Sequence, residues 1–354
     1  MTRQKFFAIV ASFSLIVTLA SFSPEDLYAS GALTQVKDKQ AKDKKEQNKK
    51  KKDGAASNNA RPVMWQEPMD LERRDLFYGP GGREGAPDEI GPYIYLRHSK
   101  GGTQKKIIVK DDRGREWTVK FGPEVRPETA ATRIVWAVGY HVDQDYFVKR
   151  ARIEGEEVYD ARDVRFERRD DGFKEEGNWS WDKNPFVGTR ELDGMKVLMA
   201  LLKNWDLKSD NNKTVRLKRK GENDLLIYYV SDLGATLGRT GSFLNKIPFF
   251  GDLPADDTFF GAKKSKGDPK AFAKEKFISG EHKGDVKLHS ERTRCKHIFK
   301  DVKVEHARWV GNLLARLSDK QLNDAFRAGG FNDEEVAIYR RTMRQRIREL
   351  QNVR

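Results

Sequence analysis

Apolar positions along the chain fall into three regimes. The first is an unbroken run, FFAIVASFSLIVTLASF, over residues 6–22, preceded by Arg3 and Lys5 and followed by the small residues Ala29, Ser30, Gly31 and Ala32. That order of charge, apolar stretch and small residues is the layout of a secretory signal. It is slightly long for such a segment and slightly short for a spanning helix, so residues 1–32 read as a signal peptide or, alternatively, a single-pass anchor. The second regime, residues 33–61, is Lys-rich with no aromatic between 37 and 61, and predicts a disordered tether. In the third, from 62 onward, apolar residues recur with structural period.

Residues 62–92 carry turn chemistry at Gly79-Pro80-Gly81-Gly82 and no clear period, as in a packed strap. Short apolar runs at 93–97, 106–110 and 116–121 predict strands, separated by Gly101-Gly102 and by Asp111-Asp112-Arg113-Gly114. Residues 129–142 predict a helix with Ile134, Val135 and Val138 on one face, and 191–202 a second with Leu192, Met195, Leu198, Met199 and Leu202. A hairpin is expected from 215–217 and 225–230, and 235–300 reads as loop-rich. Helices at about 303–317, 319–328 and 333–350 close the chain, with Asp319 and Asn332 as N-caps and Gly329-Gly330 as a stop. The order predicts an α+β, two-lobed domain: a β-rich N-lobe over 62–150 and a mainly helical C-lobe over 151–354.

Composition narrows the function. The 354-residue chain has a formal net charge of +14, but residues 35–54 hold nine Lys against four acids, so +5 resides in the tether. Elsewhere Lys and Arg alternate with Asp and Glu, which argues against a specific nucleic-acid partner. The tether is suited instead to electrostatic contact with anionic membrane or wall polymer. Its position beside residues 6–22 would also oppose translocation if that run were an anchor. One cysteine, Cys295, excludes an internal disulfide framework and a thiolate zinc site. Six scattered His form no helical pair for zinc, and no G-x-S-x-G surrounds a serine. The cluster NWSWDKNPF, with Trp179, Trp181 and Phe186, suits either stacking on sugars or packing a loop.

Five features remain, and they fall in one order. SKGGTQK contains Gly101 and Gly102 between two strands; EWTVKFG ends a strand on Lys120; RPETAATR opens a helix with Glu128. NWDLKSDNN carries Asp206, Lys208, Asn211 and Asn212 after an apolar helix, and VSDLGATLG carries Asp232 and Gly234 after an apolar strand. Phosphoryl transfer needs cations against spread negative charge, and magnesium takes oxygen ligands of the Asp and Asn type. Each residue also has a plain structural role: Asp206 as a cap, Asn211 and Asn212 as turn residues, Asp232-Leu233-Gly234 as a strand end, Lys120 and Glu128 as an ion pair.

D-L-K-x-x-N, a hairpin and D-L-G in that order resemble the catalytic and metal-binding loops of the protein-kinase-like superfamily. The resemblance implies that Lys120 holds ATP phosphate beside the Gly101-Gly102 turn and that Glu128 orients Lys120. It further implies that Asp206 is the catalytic carboxylate assisted by Lys208, with Asn211 and Asp232 as Mg2+ ligands. Asn204-Trp205 stands where His-Arg is usual, Glu128 follows Lys120 by only eight residues, and no A-P-E segment follows Asp232. These departures resemble the atypical branch: HipA-type kinases, lipid kinases or secretory-pathway kinases. Residues 62–354 also resemble a group of uncharacterised exported bacterial proteins, a likeness that implies no activity. The expectation is an exported atypical phosphotransferase using ATP and Mg2+ on an unspecified acceptor. The alternative is a catalytically inactive kinase-like envelope protein that binds a partner. Export carries a difficulty, because ATP is scarce outside the bacterial membrane.

Overall fold

The computed structural model describes residues 60–89, 91–99, 104–169, 174–219, 221–238, 266–289 and 295–354. The expected signal or anchor, all but the last two residues of the tether, and Gly101 and Gly102 lie outside the described residues. Among the described residues no helix is long and apolar enough to cross a membrane.

The first half is a closed five-stranded barrel. Its strands are β2 (Tyr93–His98), β3 (Lys106–Lys110), β4 (Glu116–Lys120), β5 (Asp145–Glu154) and β6 (Tyr159–Arg169), in the order β2-β3-β4-β6-β5; β1 (Arg61–Val63) belongs to another sheet. Tyr93, Ile107, Val109, Trp117, Val119, Val148, Ile153, Val164 and Phe166 fill the barrel. The Asp111–Gly114 turn forms as expected. Gly114 takes a positive φ of 80°, and Asp111 accepts hydrogen bonds from the Arg115 backbone at 2.7 Å and from Trp117 Nε1 at 3.0 Å.

Two expectations are corrected here. The lobe boundary placed at residue 150 falls inside β5, and the barrel runs on to Arg169. The outward residues of these long strands, among them Lys149, Arg150, Arg152 and Arg162, are charged, so no apolar run announces them. The helix expected at 129–142 is α1 (Val125–Ala137), which starts a turn earlier because Pro127 is tolerated in its first turn, and stops before Gly139, whose φ is 96°. α1 packs against β5 and β6 on one side. On the other, Ala130, Ile134 and Val135 join the core of the helical half.

That half contains α2 (Arg190–Leu201), α3 (Pro269–Lys274), α4 (Val304–Ala315), α5 (Asp319–Ala328) and α6 (Asp333–Gln351). α4 packs on both α2 and α6. Ser318, not Asp319, caps α5. Its side chain accepts from Gln321 N while Gln321 reaches back, a reciprocal pair that Asp319 cannot form at that spacing. Asn332 caps α6 as expected. A four-stranded sheet runs β1-β9-β8-β7, with β7 (Lys174–Asn178), β8 (Asn212–Leu217) and β9 (Leu225–Val230). β1 pairs parallel to β9, and the β7–β8 register shifts between Glu175 and Gly177. The stretch expected to be loop-rich contains α3 and the hairpin β10 (Ile278–His282) and β11 (Asp285–Leu288). The chain is thus α+β, a β-rich lobe followed by a mainly helical one.

Candidate functional site

β4 ends on Lys120, and the chain turns at once into α1 through Gly122, whose φ is 102°. So short a link leaves the first turn of α1, not its middle, beside the Lys120 ammonium. Carboxylates are favoured there by the helix dipole, and residues four apart share a face. Glu128 and Glu124 both meet Lys120 in consequence: Nζ lies 2.9 Å from Glu128 Oε2 and 2.7 Å from Glu124 Oε2. From the other lobe, Asp232 Oδ1 approaches the same Nζ to 3.4 Å. Lys120, Glu128 and Asp232 are therefore brought together across 112 residues of chain.

A second cation supports the group. Arg165 on β6 is buried, with Nη1 against Glu128 Oε1 and 3.6 Å from Asp145 Oδ2, and Nη2 against Glu167. Arg133 Nη1 also holds Asp145, at 3.0 Å. Burial lowers the affinity of Lys120 for its proton, but Glu128 and Asp232 more than reverse this and hold the ammonium charged. Burial pushes the Glu128 carboxyl up to about 7 against the pull of Arg165 and Lys120. For Asp232, burial is outweighed by Lys120 and Arg165, so its carboxyl lies below the ordinary range and stays ionised.

The loop after α2 lies alongside. Trp205 N donates to Ala235 O at 3.2 Å, Leu237 N to Leu202 O at 2.9 Å, and Ser231 N to Asn211 O at 2.8 Å. These bonds tie the Asp206 loop to the Asp232 turn at three points. Within the loop, Asp206 N donates to Asn204 Oδ1 at 3.0 Å, Lys208 Nζ lies 3.0 Å from Asp206 Oδ2, and Asn211 Nδ2 donates to Asp206 O at 2.8 Å. Asn211 Oδ1 accepts no hydrogen bond among the described residues. Trp179 and Trp181 are buried, and their indole N–H groups donate to Tyr229 O and Leu207 O, each at 3.0 Å. They brace the loop and β9 and leave no flat face for a sugar.

Sequence reasoning missed Glu124, Arg165 and Lys266. Lys266 Nζ pairs with Glu124 Oε1 at 2.7 Å and sits 5.3 Å from the centre of the Trp205 ring. Glu124 had a signal, its spacing of four from Glu128. Arg165 lay hidden in the charged VRFERR stretch, and Lys266 is distant in sequence.

No family model matches the chain, and no curated protein matches it. Among solved structures, it is similar to a Helicobacter pylori proinflammatory kinase, CtkA. The identity is 13% and the TM-score 0.39, over 72% of this chain and 92% of that one. It is also similar to the Rio2 kinase–ADP/Mg2+–phosphoaspartate complex from Chaetomium thermophilum. There the identity is 14% and the TM-score 0.30, over 73% of this chain and 72% of that one. Both overlaps are loose and carry no argument about the site; in the chain itself a strand Lys, a helix Glu and the Asp of a D-L-G turn are in contact.

Proposed function

We propose that the chain is an atypical kinase-like phosphotransferase that uses ATP and Mg2+. One observation carries the reading: the contact of Lys120 with both Glu128 and Asp232 across the two lobes. The donor set fits the cofactors. Asp232 offers an ionised carboxylate, and Asn211, bonded through its backbone to the residue before Asp232, has an amide oxygen that accepts no hydrogen bond among the described residues. Those are the hard oxygen donors Mg2+ takes, with waters and phosphates completing the shell. Bound there, the ion would neutralise charge on the transferring phosphoryl group.

The remaining roles fall to side chains. Lys120, kept charged by its carboxylates, would hold phosphate oxygens, with Glu128 and Arg165 fixing its position. Asp206 would accept the proton of the acceptor hydroxyl, and Lys208, 3.0 Å away, would balance the charge on it. Export of the domain is part of the same proposal.

The test is thermal unfolding of the full chain with and without Mg-ATP, together with phosphoryl transfer from labelled ATP. A stabilisation that disappears in Asp232→Ala, and transfer that disappears in Asp206→Ala with the fold intact, are expected. Absence of any nucleotide response in the wild type would instead support the inactive binding module.

A further inference from the structure

An ammonium group has three N–H donors. Lys120 Nζ is surrounded by three carboxylate oxygens within 3.4 Å, from Glu124, Glu128 and Asp232. A phosphate can reach it only if one of them withdraws. Glu128 is fully buried and its second oxygen is held by Arg165. Asp232 Oδ1 also accepts from Gly234 N at 3.3 Å, and Asp232 is needed for the metal. Glu124 differs, because its second oxygen already rests on another cation, Lys266, at 2.7 Å. It can release Lys120 without becoming an unpaired buried charge.

Glu124 cannot move far. Its side chain packs on the D-L-G turn so closely that a methyl group added at Gly234 would fall 2.6 Å from Glu124 Cβ. After release, its carboxylate therefore still faces Asp232 and the incoming phosphates. Three anionic groups would then crowd one site, an arrangement that repels unless a divalent cation lies among them.

On the phosphotransferase reading, we propose that Glu124 makes nucleotide binding conditional on a divalent cation: it displaces free nucleotide from Lys120 and yields only to the metal complex. Lys266 is the positioning residue that receives it.

The experiment is calorimetric titration of the full chain with ADP, once with Mg2+ and once with EDTA. Wild type is expected to bind Mg-ADP far more tightly than free ADP. Glu124→Gln removes the charge but keeps the shape, and should bind free ADP about 10-fold more tightly, narrowing the ratio. Lys266→Met leaves Glu124 with Lys120 alone and should weaken Mg-ADP by a similar factor; it keeps the test alive if Glu124→Gln does not fold. An unchanged metal ratio in Glu124→Gln, or wild-type Mg-ADP affinity in Lys266→Met, overturns the proposal. Failure of the wild type to bind Mg-ADP at all is a different result and overturns the phosphotransferase reading beneath it.

Discussion

Arg165 offers the sharpest energetic test of the site. Its guanidinium, 2% exposed, serves Glu128, Asp145 and Glu167, of which Glu128 and Asp145 are each 1% exposed. In Arg165→Met the buried anions remain, Glu128 with Lys120 and Asp145 with Arg133. Removing one partner of a buried pair costs about 3–5 kcal/mol, because the other charge is left without compensation. The two remaining cations place the expected loss near the lower end, about 3 kcal/mol. For a domain of this size each kcal/mol moves Tm by roughly 2–4 °C, so a fall of about 6–12 °C is expected. Arg150→Met is the control. Its pair with Asp160 is 70% and 50% exposed, and such pairs contribute at most about 1 kcal/mol. Urea unfolding followed by tryptophan fluorescence gives both values. The functional consequence runs the same way: without Arg165 the Glu128 carboxyl rises further above about 7 and releases Lys120, so Mg-ATP affinity should fall in Arg165→Met alone. Equal unfolding midpoints for the two variants would refute the idea that the site is organised around a buried second cation.

Two further outcomes are expected. Trp181→Phe leaves Leu207 O without its buried donor and should cost about 1–3 kcal/mol in urea unfolding, with the loss absent if that carbonyl is satisfied by water. His141, whose Nε2 is buried with no hydrogen bond among the described residues, is held down to about 4 by burial, against an ordinary 6.5. As pH falls from 6.5 towards 4 the unfolded chain gains a proton there that the folded chain refuses, so stability is lost across that window, up to about 3 kcal/mol. The urea midpoint of His141→Gln should therefore fall less than that of wild type between pH 7 and pH 5; parallel slopes would exclude the effect.

What the sequence disclosed follows from how each element is buried. α2, α4, α5 and α6 each have an apolar stripe, β3 has an apolar Ile107–Val109 run buried on both faces, and β9 is apolar throughout; periodicity and run length find these. β5 and β6 line a barrel on one face and meet water on the other with Arg and Lys, so they read as surface. Lys120, Glu128 and Asp232 were legible because each sits at the end of a regular element in a fixed order. Arg165 and Lys266 were not, and Glu124 showed only through its spacing of four from Glu128. Their role depends on charges that meet only after folding, and a Lys or Arg destined for a buried pair looks, in one dimension, like its neighbours on the surface.

The strand pairing also bears on solubility. The barrel closes where β2 pairs parallel to β5 at Tyr93–Ile153 and Ile94–Glu154, and at that seam a further strand finds no free margin. The second sheet has two margins, and each is blunted. β1 has only three residues, with Pro62 at its centre offering no N–H, and β7 carries the irregularity between Glu175 and Gly177. Addition of a strand from another chain is therefore disfavoured at both margins of this sheet.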